Sequence, residues 1–202
     1  MIRDHSRAGW VGASDTHALM SSWDSKTFAA FMTEKLGLLE KCFSSRRLAA
    51  GTHWEHRILD AIDVRKRDRQ IRRRRLRLRV NLDGEDTSTV FEVKTHESEE
   101  FKPTRAYWEQ CQVEHYATGK EVCIVAYRLL PEDIDNYYRE LDEERLSIYP
   151  IEYDPVWIEE EYLPRLRIVA RCIRRRRCPS ESEIARFSYR RRRKADPVTH
   201  IA

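Results

Sequence analysis

The spacing of hydrophobic positions changes along this chain, and the clearest pattern lies near its centre. In residues 75–83, RLRLRVNLD, leucines and a valine alternate with polar side chains. A period of two places the apolar side chains on one face of a β-strand, so this segment predicts a half-buried strand. Asp83 and Gly84 then begin a turn-rich loop, and residues 89–95, TVFEVKT, predict a second strand.

Helical and strand patterns on either side of this pair complete the expected fold. We predict helices at residues 24–36, 51–62, 104–118 and 155–175, and strands at residues 121–129 and 146–153. Asp24 or Ser25 is expected to cap the first helix, and Pro164 to kink or divide the last. This order of elements indicates an α/β domain with a sheet between helices.

Charge is unevenly distributed, although the formal net charge is only +4. Of 38 cationic residues, 30 are arginine, and residues 65–79 hold 10 Lys or Arg against one acid. Residues 169–202 hold 11 against three, whereas residues 132–161 hold 12 acids against two arginines. We therefore expect a folded domain over residues 1–168 and a basic C-terminal helix or tail over residues 169–202. Clustered arginines suit phosphate recognition, because the guanidinium group can meet two phosphate oxygens at once.

Composition excludes several classes of protein. A hydrophobic content of 41% is enough for a core and argues against full disorder. No apolar run approaches the roughly 20 residues of a membrane span, and the first residues lack the apolar centre of a signal peptide. The five cysteines contain no C-x₂-C step of the kind that iron–sulfur clusters use. We expect reduced thiols and a cytoplasmic location, in a bacterial or phage-infected cell.

Candidate chemistry gathers around the two central strands. Glu92 and Lys94 are two residues apart and therefore point to the same face of the second strand. The turn brings Asp83 near that face, Glu55 on a predicted helix adds a carboxylate, and the carbonyl of Val93 offers another oxygen. Such oxygen ligands suit Mg²⁺, with Mn²⁺ as an alternative. The same pattern also occurs on ordinary solvated strand faces, so the strands alone do not decide between a metal site and a solvated face.

Several segments in order resemble one nuclease family. Asp83-Gly84 followed by FEVK at 91–94 is similar to the DG…(L/V)E(I/L)K core of the PD-(D/E)XK nucleases. It most resembles the YqaJ branch, which includes the phage lambda-type exonucleases. The other matching segments are RAGWVGASD (7–15), GTHWEHRIL (51–59), YWEQCQVEHYATG (107–119) and CIVAYR (123–128). The resemblance implies a three-layer α/β/α restriction-endonuclease-like core with a central mixed sheet.

The resemblance also implies roles for particular residues. Asp83 and Glu92 would be metal ligands, Glu55 an additional ligand and Lys94 the catalytic lysine. Gln112 matches a helix glutamine that lies beside the site in the family.

Further positions match contacts to DNA. Tyr116 follows Gln112 in the Q-x-x-x-Y spacing of RecB-like nucleases. Arg7 and Ser14 match a 5′-phosphate pocket. The alternatives are that Ser14 caps a helix beginning at Asp15 and that Arg7 is a mobile terminal residue. A DNA backbone could be gripped by the run Arg72, Arg73, Arg74 and Arg75. The alternative for this run is an ordinary solvated surface.

The resemblance implies Mg²⁺-dependent hydrolysis of DNA. Similarity to the lambda-type members of the family implies 5′-to-3′ degradation of double-stranded DNA ends in phage-type recombination. It also implies a single-strand annealing protein as partner and a ring-like trimer as assembly. Two alternatives stay open. One is an endonuclease on the same metal core, and the other is a basic DNA-binding protein that has lost catalysis.

Overall fold

The computed structural model describes residues 8–39 and 46–188 of the 202-residue chain, so Arg7 and residues 189–202 of the expected tail lie outside the described residues. Its strands are β1 (Val11–Gly12), β2 (Lys66–Arg73), β3 (Leu78–Glu85), β4 (Thr89–His96), β5 (Glu121–Arg128) and β6 (Leu146–Ile151). Its helices are α1 (Thr16–Met20), α2 (Lys26–Lys35), α3 (Arg46–Ala61), α4 (Arg105–Thr118), α5 (Pro131–Asp135), α6 (Pro155–Trp157), α7 (Leu163–Arg175) and α8 (Glu181–Ser188).

The described strands form one mixed sheet in the order β1-β3-β4-β5-β6, with β2 also paired to β3. Antiparallel β2 covers one edge of β3 along its whole length. The other edge of β3 is shared, because β1 pairs in parallel with Leu78 and Arg79 while β4 pairs only with Gly84 and Glu85. The stretch between these two pairings, which includes Asp83, is left open on that edge.

Helices cover both faces of the sheet. On β5, Val122, Ile124 and Ala126 enter a larger core with α1, α2, α4 and α7. Val125 and Tyr127 point the other way, into a smaller core with α3. This alternation follows from the period of two along a strand. The predicted three-layer α/β/α architecture with a mixed sheet is confirmed. Within residues 8–39 and 46–188, no helix is long and apolar enough to cross a membrane.

The arginine-rich segment before β3 differs from the prediction. The strand expected at residues 75–83 begins only at Leu78, because residues 74–76 form a short 3₁₀ turn and Arg77 adopts a left-handed conformation with φ of 51°. Residues 66–73, which carry no apolar alternation, form β2 instead. This strand lies at the edge of the sheet and is held by backbone pairing with β3, so its side-chain pattern gives little sign of it.

Capping residues fix where several helices begin. The hydroxyl of Ser25 accepts a hydrogen bond from the Phe28 amide at 3.2 Å, so Ser25 rather than Asp24 caps α2. Thr104 caps α4 in the same way. Side-chain oxygens at these positions satisfy backbone amides that have no partner within the helix.

The C-terminal part of the described chain packs as one unit with the rest. A π-helical turn, Ile158–Tyr162, joins α6 directly to α7, so residues 155–175 are helical throughout, and the helix changes type just before Pro164. Val169 and Cys172 pack in the larger core, and Phe187 of α8 contacts Trp23. The boundary expected after residue 168 therefore falls inside α7, and the helix does not begin a separate segment there.

Candidate functional site

The separation of two strands positions Asp83. Pairing between β3 and β4 runs from Glu85↔Val90 to Gly84↔Phe91 and stops there. Beyond it, the Asp83 carboxylate accepts the Val93 amide hydrogen at 2.9 Å, so a side chain takes the place of the next backbone contact. This arrangement leaves the Asp83 carboxylate between the two strands, which is where the open edge of β3 lies.

Glu92 and Lys94 share the face of β4 that is turned toward α4. Glu92 is only 4% exposed, and its Oε1 accepts hydrogen bonds from Lys94 Nζ and Gln110 Nε2, each at 2.6 Å. Its other oxygen, Oε2, is buried and has no hydrogen-bond partner among the described residues. A buried polar atom without a partner is costly, so this oxygen is a candidate ligand atom.

Two side chains of α4 complete the inner part of the site. The Gln110 amide nitrogen also donates to Glu114 Oε1 at 2.9 Å, while the Gln110 oxygen accepts from Lys94 Nζ at 3.2 Å. Glu114 is fully buried, and within the described part of the chain its Oε2 also has no partner. The ammonium group of Lys94 lies 4.9 Å from the centre of the Tyr107 ring. Gln110 therefore links both glutamates to the lysine.

Negative charge exceeds positive charge in this site. Burial raises the pKa of the Asp83 carboxyl well above its usual value, and the Glu92 and Glu55 carboxylates raise it further. Burial and the Glu92 carboxylate do the same for the pKa of Glu114. Burial lowers the pKa of Lys94, but the carboxylates of Glu92, Asp83 and Glu114 together outweigh this effect and leave the pKa raised. The lysine therefore stays charged, and the remaining carboxylates are balanced only by protons or by a cation.

Glu55 on α3 approaches the site from the other layer. Burial raises its pKa, and the next largest cause is the Glu92 carboxylate, so the two groups interact. Glu55 also lies beside His56 and Asp68, and one ligand atom from each of the three lies within 4.8 Å of the others. Asp68 belongs to β2 and has a φ of 54°, between residues that pair with Gly84 and Leu82 on either side of Asp83.

The donor set fits a divalent cation such as Mg²⁺ or Mn²⁺. Asp83, Glu92, Glu114 and Glu55 offer carboxylate oxygens, which are the ligands that such hard cations prefer. The buried oxygens of Glu92 and Glu114 that lack partners, and the raised pKa values of Asp83 and Glu114, are features expected of a site that binds a cation. Val93 lies in the parallel ladder between β4 and β5, and its side chain packs in the smaller core.

The structure corrects the expected position of Gln112. Its amide nitrogen donates to the Glu152 carbonyl and its oxygen accepts from the Asp154 amide, both at 2.7 Å, on the side of α4 away from Glu92. Residues two apart on a helix point in nearly opposite directions, so Gln110 and Gln112 cannot both face the site. Tyr116, one turn beyond Gln112, packs against the larger core.

Ser14 lies in an exposed position near the start of the described chain. It belongs to a 3₁₀ turn, Ala13–Asp15, that directly follows β1. Because β1 runs parallel to β3, Ser14 lies further toward the Asp83 end of the sheet than Gly12 does. Ser14 does not cap α1, because the residue directly before that helix is Asp15. The carboxylate of Asp15 in turn accepts a hydrogen bond from the Gly12 amide at 2.7 Å.

The arginine run lies away from the carboxylates. Arg72 and Arg73 end β2, and Arg74 and Arg75 lie in the turn that precedes β3. This turn is at the opposite end of β3 from Asp83. With a rise of roughly 3.3 Å per strand residue, the end of the turn at Arg77 lies about 20 Å from Asp83. The structure therefore does not bring these four arginines into the inner site.

Four residues near the carboxylates were not predicted from the sequence as members of the site, namely Gln110, Glu114, His56 and Asp68. Gln110 and Glu114 did leave a signal, because two polar residues one turn apart lie on a helix that is otherwise expected to pack against the sheet. His56 and Asp68 left no such signal, since their proximity depends on how β2 pairs.

The fold and this grouping of side chains define the chain as a restriction-endonuclease-like α/β/α domain. It is similar to the crystal structure of an alkaline exonuclease from Laribacter hongkongensis, with a TM-score of 0.61 and 18% identity over 89% of this chain and 92% of that one. A phage related exonuclease from Haemophilus somnus 129PT gives a TM-score of 0.55 and 12% identity over 81% of this chain and 92% of that one. At these identities the likeness is one of fold, and it agrees with the resemblance to the lambda-type branch. No protein-family model and no curated protein sequence matches the chain.

Proposed function

We propose that this protein is a metal-dependent nuclease that hydrolyses phosphodiester bonds in DNA. The observation that carries the proposal is a pair of buried carboxylate oxygens, one on Glu92 and one on Glu114. Neither has a hydrogen-bond partner in the described part of the chain, and both belong to the cluster that contains Asp83 and Lys94. In most proteins, buried carboxylate oxygens accept hydrogen bonds, and here two such oxygens that accept none lie close together in one cluster. An arrangement short of positive charge is suited to bind a divalent cation and the phosphate that accompanies it.

Each inner residue has a distinct role in this proposal. Asp83 and Glu92 would hold Mg²⁺, with Glu55, Glu114 and the Val93 carbonyl as candidates for further oxygens. When bound, the ion would polarise the phosphodiester and lower the pKa of a water molecule. The charged ammonium of Lys94, buried against Glu92, would orient that water and stabilise charge that develops on the phosphate. Gln110 would hold Glu92 and Lys94 in position.

The mode of cleavage that we propose is exonucleolytic. The support is the lambda-type resemblance of residues 7–128 and a fold shared with proteins named as exonucleases. We propose 5′-to-3′ degradation of double-stranded DNA in phage-type recombination, with Arg7 and Ser14 as contacts to a 5′-phosphate and Mg²⁺ as the ion. A single-strand annealing protein and a ring-like trimer are the partner and assembly that the resemblance favours.

Substrate topology and end chemistry test this mode. We expect linear DNA to be degraded with Mg²⁺ while closed circular DNA of the same sequence survives, with Lys94→Ala as the inactive control. Cleavage of the closed circle at a similar rate would favour an endonuclease instead. A 5′-phosphate should be preferred over a 5′-hydroxyl, and Ser14→Ala should weaken that preference. If wild-type protein shows no preference, the assignment of the 5′-phosphate contacts is wrong.

A further inference from the structure

Two arginine-rich segments that are distant in sequence meet at the end of the sheet opposite Asp83. Residues 69–82 and residues 162–180 each contain seven arginines and no acidic residue. Arg174 of α7 donates a hydrogen bond to the backbone carbonyl of Arg75 at 2.7 Å, which joins the end of α7 to the turn before β3. The two segments therefore contribute to one surface. We call this surface the arginine face and define it as Arg74, Arg75, Arg77, Arg174, Arg175 and Arg176.

In the described part of the chain, acidic side chains do not neutralise the positive charge of this face. Within the described residues, none of its members forms an ion pair with an acidic side chain. The nearby Glu183 is already engaged by Arg171 and Arg177. All members except the half-buried Arg77 are exposed. Like charges held together without acids repel one another, so the face is suited to bind an anion.

The backbone supports the same interpretation. Arg77 and Arg176 both adopt the left-handed conformation, with φ of 51° and 49°. Glycine or asparagine occupies such positions at lower cost, and a helix commonly ends on glycine there. The presence of arginine at positions 174 and 175 is explained by the favourable interaction of cations with the C-terminal end of α7. This interaction does not account for Arg77, which belongs to another element.

A cavity lies between these two strained arginines. It has a volume of about 580 Å³, and its wall includes Arg77, Arg176, Leu36 and Ile173. The guanidinium group of Arg77 also lies 5.6 Å from the centre of the Trp10 ring, which holds it in place near the cavity. Two arginines beside a concave surface, flanked by four more on one face, match a row of phosphates better than a single small anion.

We propose that the arginine face binds the phosphate backbone of duplex DNA about 20 Å from Asp83, and that it thereby sets the length of duplex that the protein holds. This inference rests on the proposed function for its choice of ligand. One strand of a duplex carries a phosphate about every 3.4 Å, so the face would meet the backbone roughly six nucleotides from the inner site. Binding should therefore strengthen once a duplex is long enough to span that distance.

The test measures binding without cleavage. Fluorescent hairpin duplexes with stems of about four and about 24 base pairs, the first too short to span the distance, are titrated with the full chain in EDTA at several salt concentrations. The variant is Arg77→Gly with Arg176→Gly, because glycine suits both left-handed positions and keeps the fold. The matched control, Arg46→Ala with Arg65→Ala, removes two exposed arginines elsewhere.

We expect the glycine variant to weaken binding of the long duplex roughly tenfold at low salt and to reduce the slope of log K against log salt by about 1.8, or 0.9 per phosphate lost. Its preference for the long duplex over the short one should shrink, while the control variant keeps both values. An unchanged slope in the glycine variant would overturn the proposal.

Two further outcomes separate this inference from its alternatives. A change of oligomeric state in sedimentation, with unchanged affinity for DNA, would show that the face binds an acidic surface of another protein chain and would also overturn the proposal. Because binding is measured in EDTA, an absence of nuclease activity would refute the proposed function and leave this result standing.

Discussion

Replacing Gln110 with alanine removes three hydrogen bonds at the centre of the site. They join the Gln110 amide to Glu92, Glu114 and Lys94. Hydrogen bonds to charged groups contribute about 1.5–3 kcal/mol each, so three of them sum to at least about 4.5 kcal/mol, and the higher helix propensity of alanine returns less than about 0.7 kcal/mol. We therefore expect the free energy of unfolding to fall by about 4 kcal/mol or more. Gln112→Ala is the matched control, because it removes two hydrogen bonds to backbone groups on the other side of α4 and should cost about 2 kcal/mol.

Activity distinguishes the two variants more sharply than stability does. Partners that orient metal ligands commonly contribute 10- to 100-fold to metal affinity or activity, so Gln110→Ala should lose about that much in kcat or require more Mg²⁺. Gln112→Ala should retain nearly full activity per folded molecule. The assay is cleavage of linear DNA over a Mg²⁺ titration, at a temperature where circular dichroism shows both variants folded. Greater loss in Gln112→Ala than in Gln110→Ala would refute the assignment of Gln110 to the site.

Further expectations concern stability. The pKa values of Asp83 and Glu114 are raised on folding, so in EDTA their contribution to stability is present below about pH 4 and is lost as the pH rises through the folded values. The melting temperature in EDTA should therefore fall between about pH 4 and pH 8, and Mg²⁺ should reverse this fall. The fall should be smaller in Glu114→Gln, and an equal fall in this variant would count against ionisation of Glu114 as a cause. Gly84→Ala would place a methyl group 2.7 Å from Leu59 Cδ2, so urea denaturation should show a loss of about 1–3 kcal/mol, and an unchanged midpoint would contradict this packing. Phe187→Ala should cost about 3–5 kcal/mol in the same assay, whereas a loss below about 0.5 kcal/mol would indicate that α8 is not part of the core.

The parts of the site that depend on local geometry could be predicted from sequence. Glu92 and Lys94 share a face because they are two residues apart on a strand. Asp83 comes near them because a turn joins its strand to theirs. The choice between Gln110 and Gln112 could not be made in this way, since it depends on the rotation of α4 about its axis.

The parts of the fold that depend on backbone pairing were not predicted. The arginine-rich β2 is held by its ladder to β3 and carries no apolar alternation. Because β2 was not predicted, the proximity of Asp68 to Glu55 could not be predicted either. The same holds for the position of the turn before β3, which lies at the opposite end of that strand from Asp83. The boundary expected after residue 168 followed the change in charge, whereas the apolar stripe of α7 continues across that position.

The central claim is that Asp83, Glu92 and Lys94 carry out metal-dependent cleavage of DNA, and one comparison tests it most directly. Wild type, Glu92→Gln and Lys94→Ala are incubated with linear double-stranded DNA, in Mg²⁺ and in EDTA. We predict cleavage by wild type in Mg²⁺ alone, and retained binding of DNA by both variants. Cleavage that survives either substitution, or that persists in EDTA, would contradict the claim.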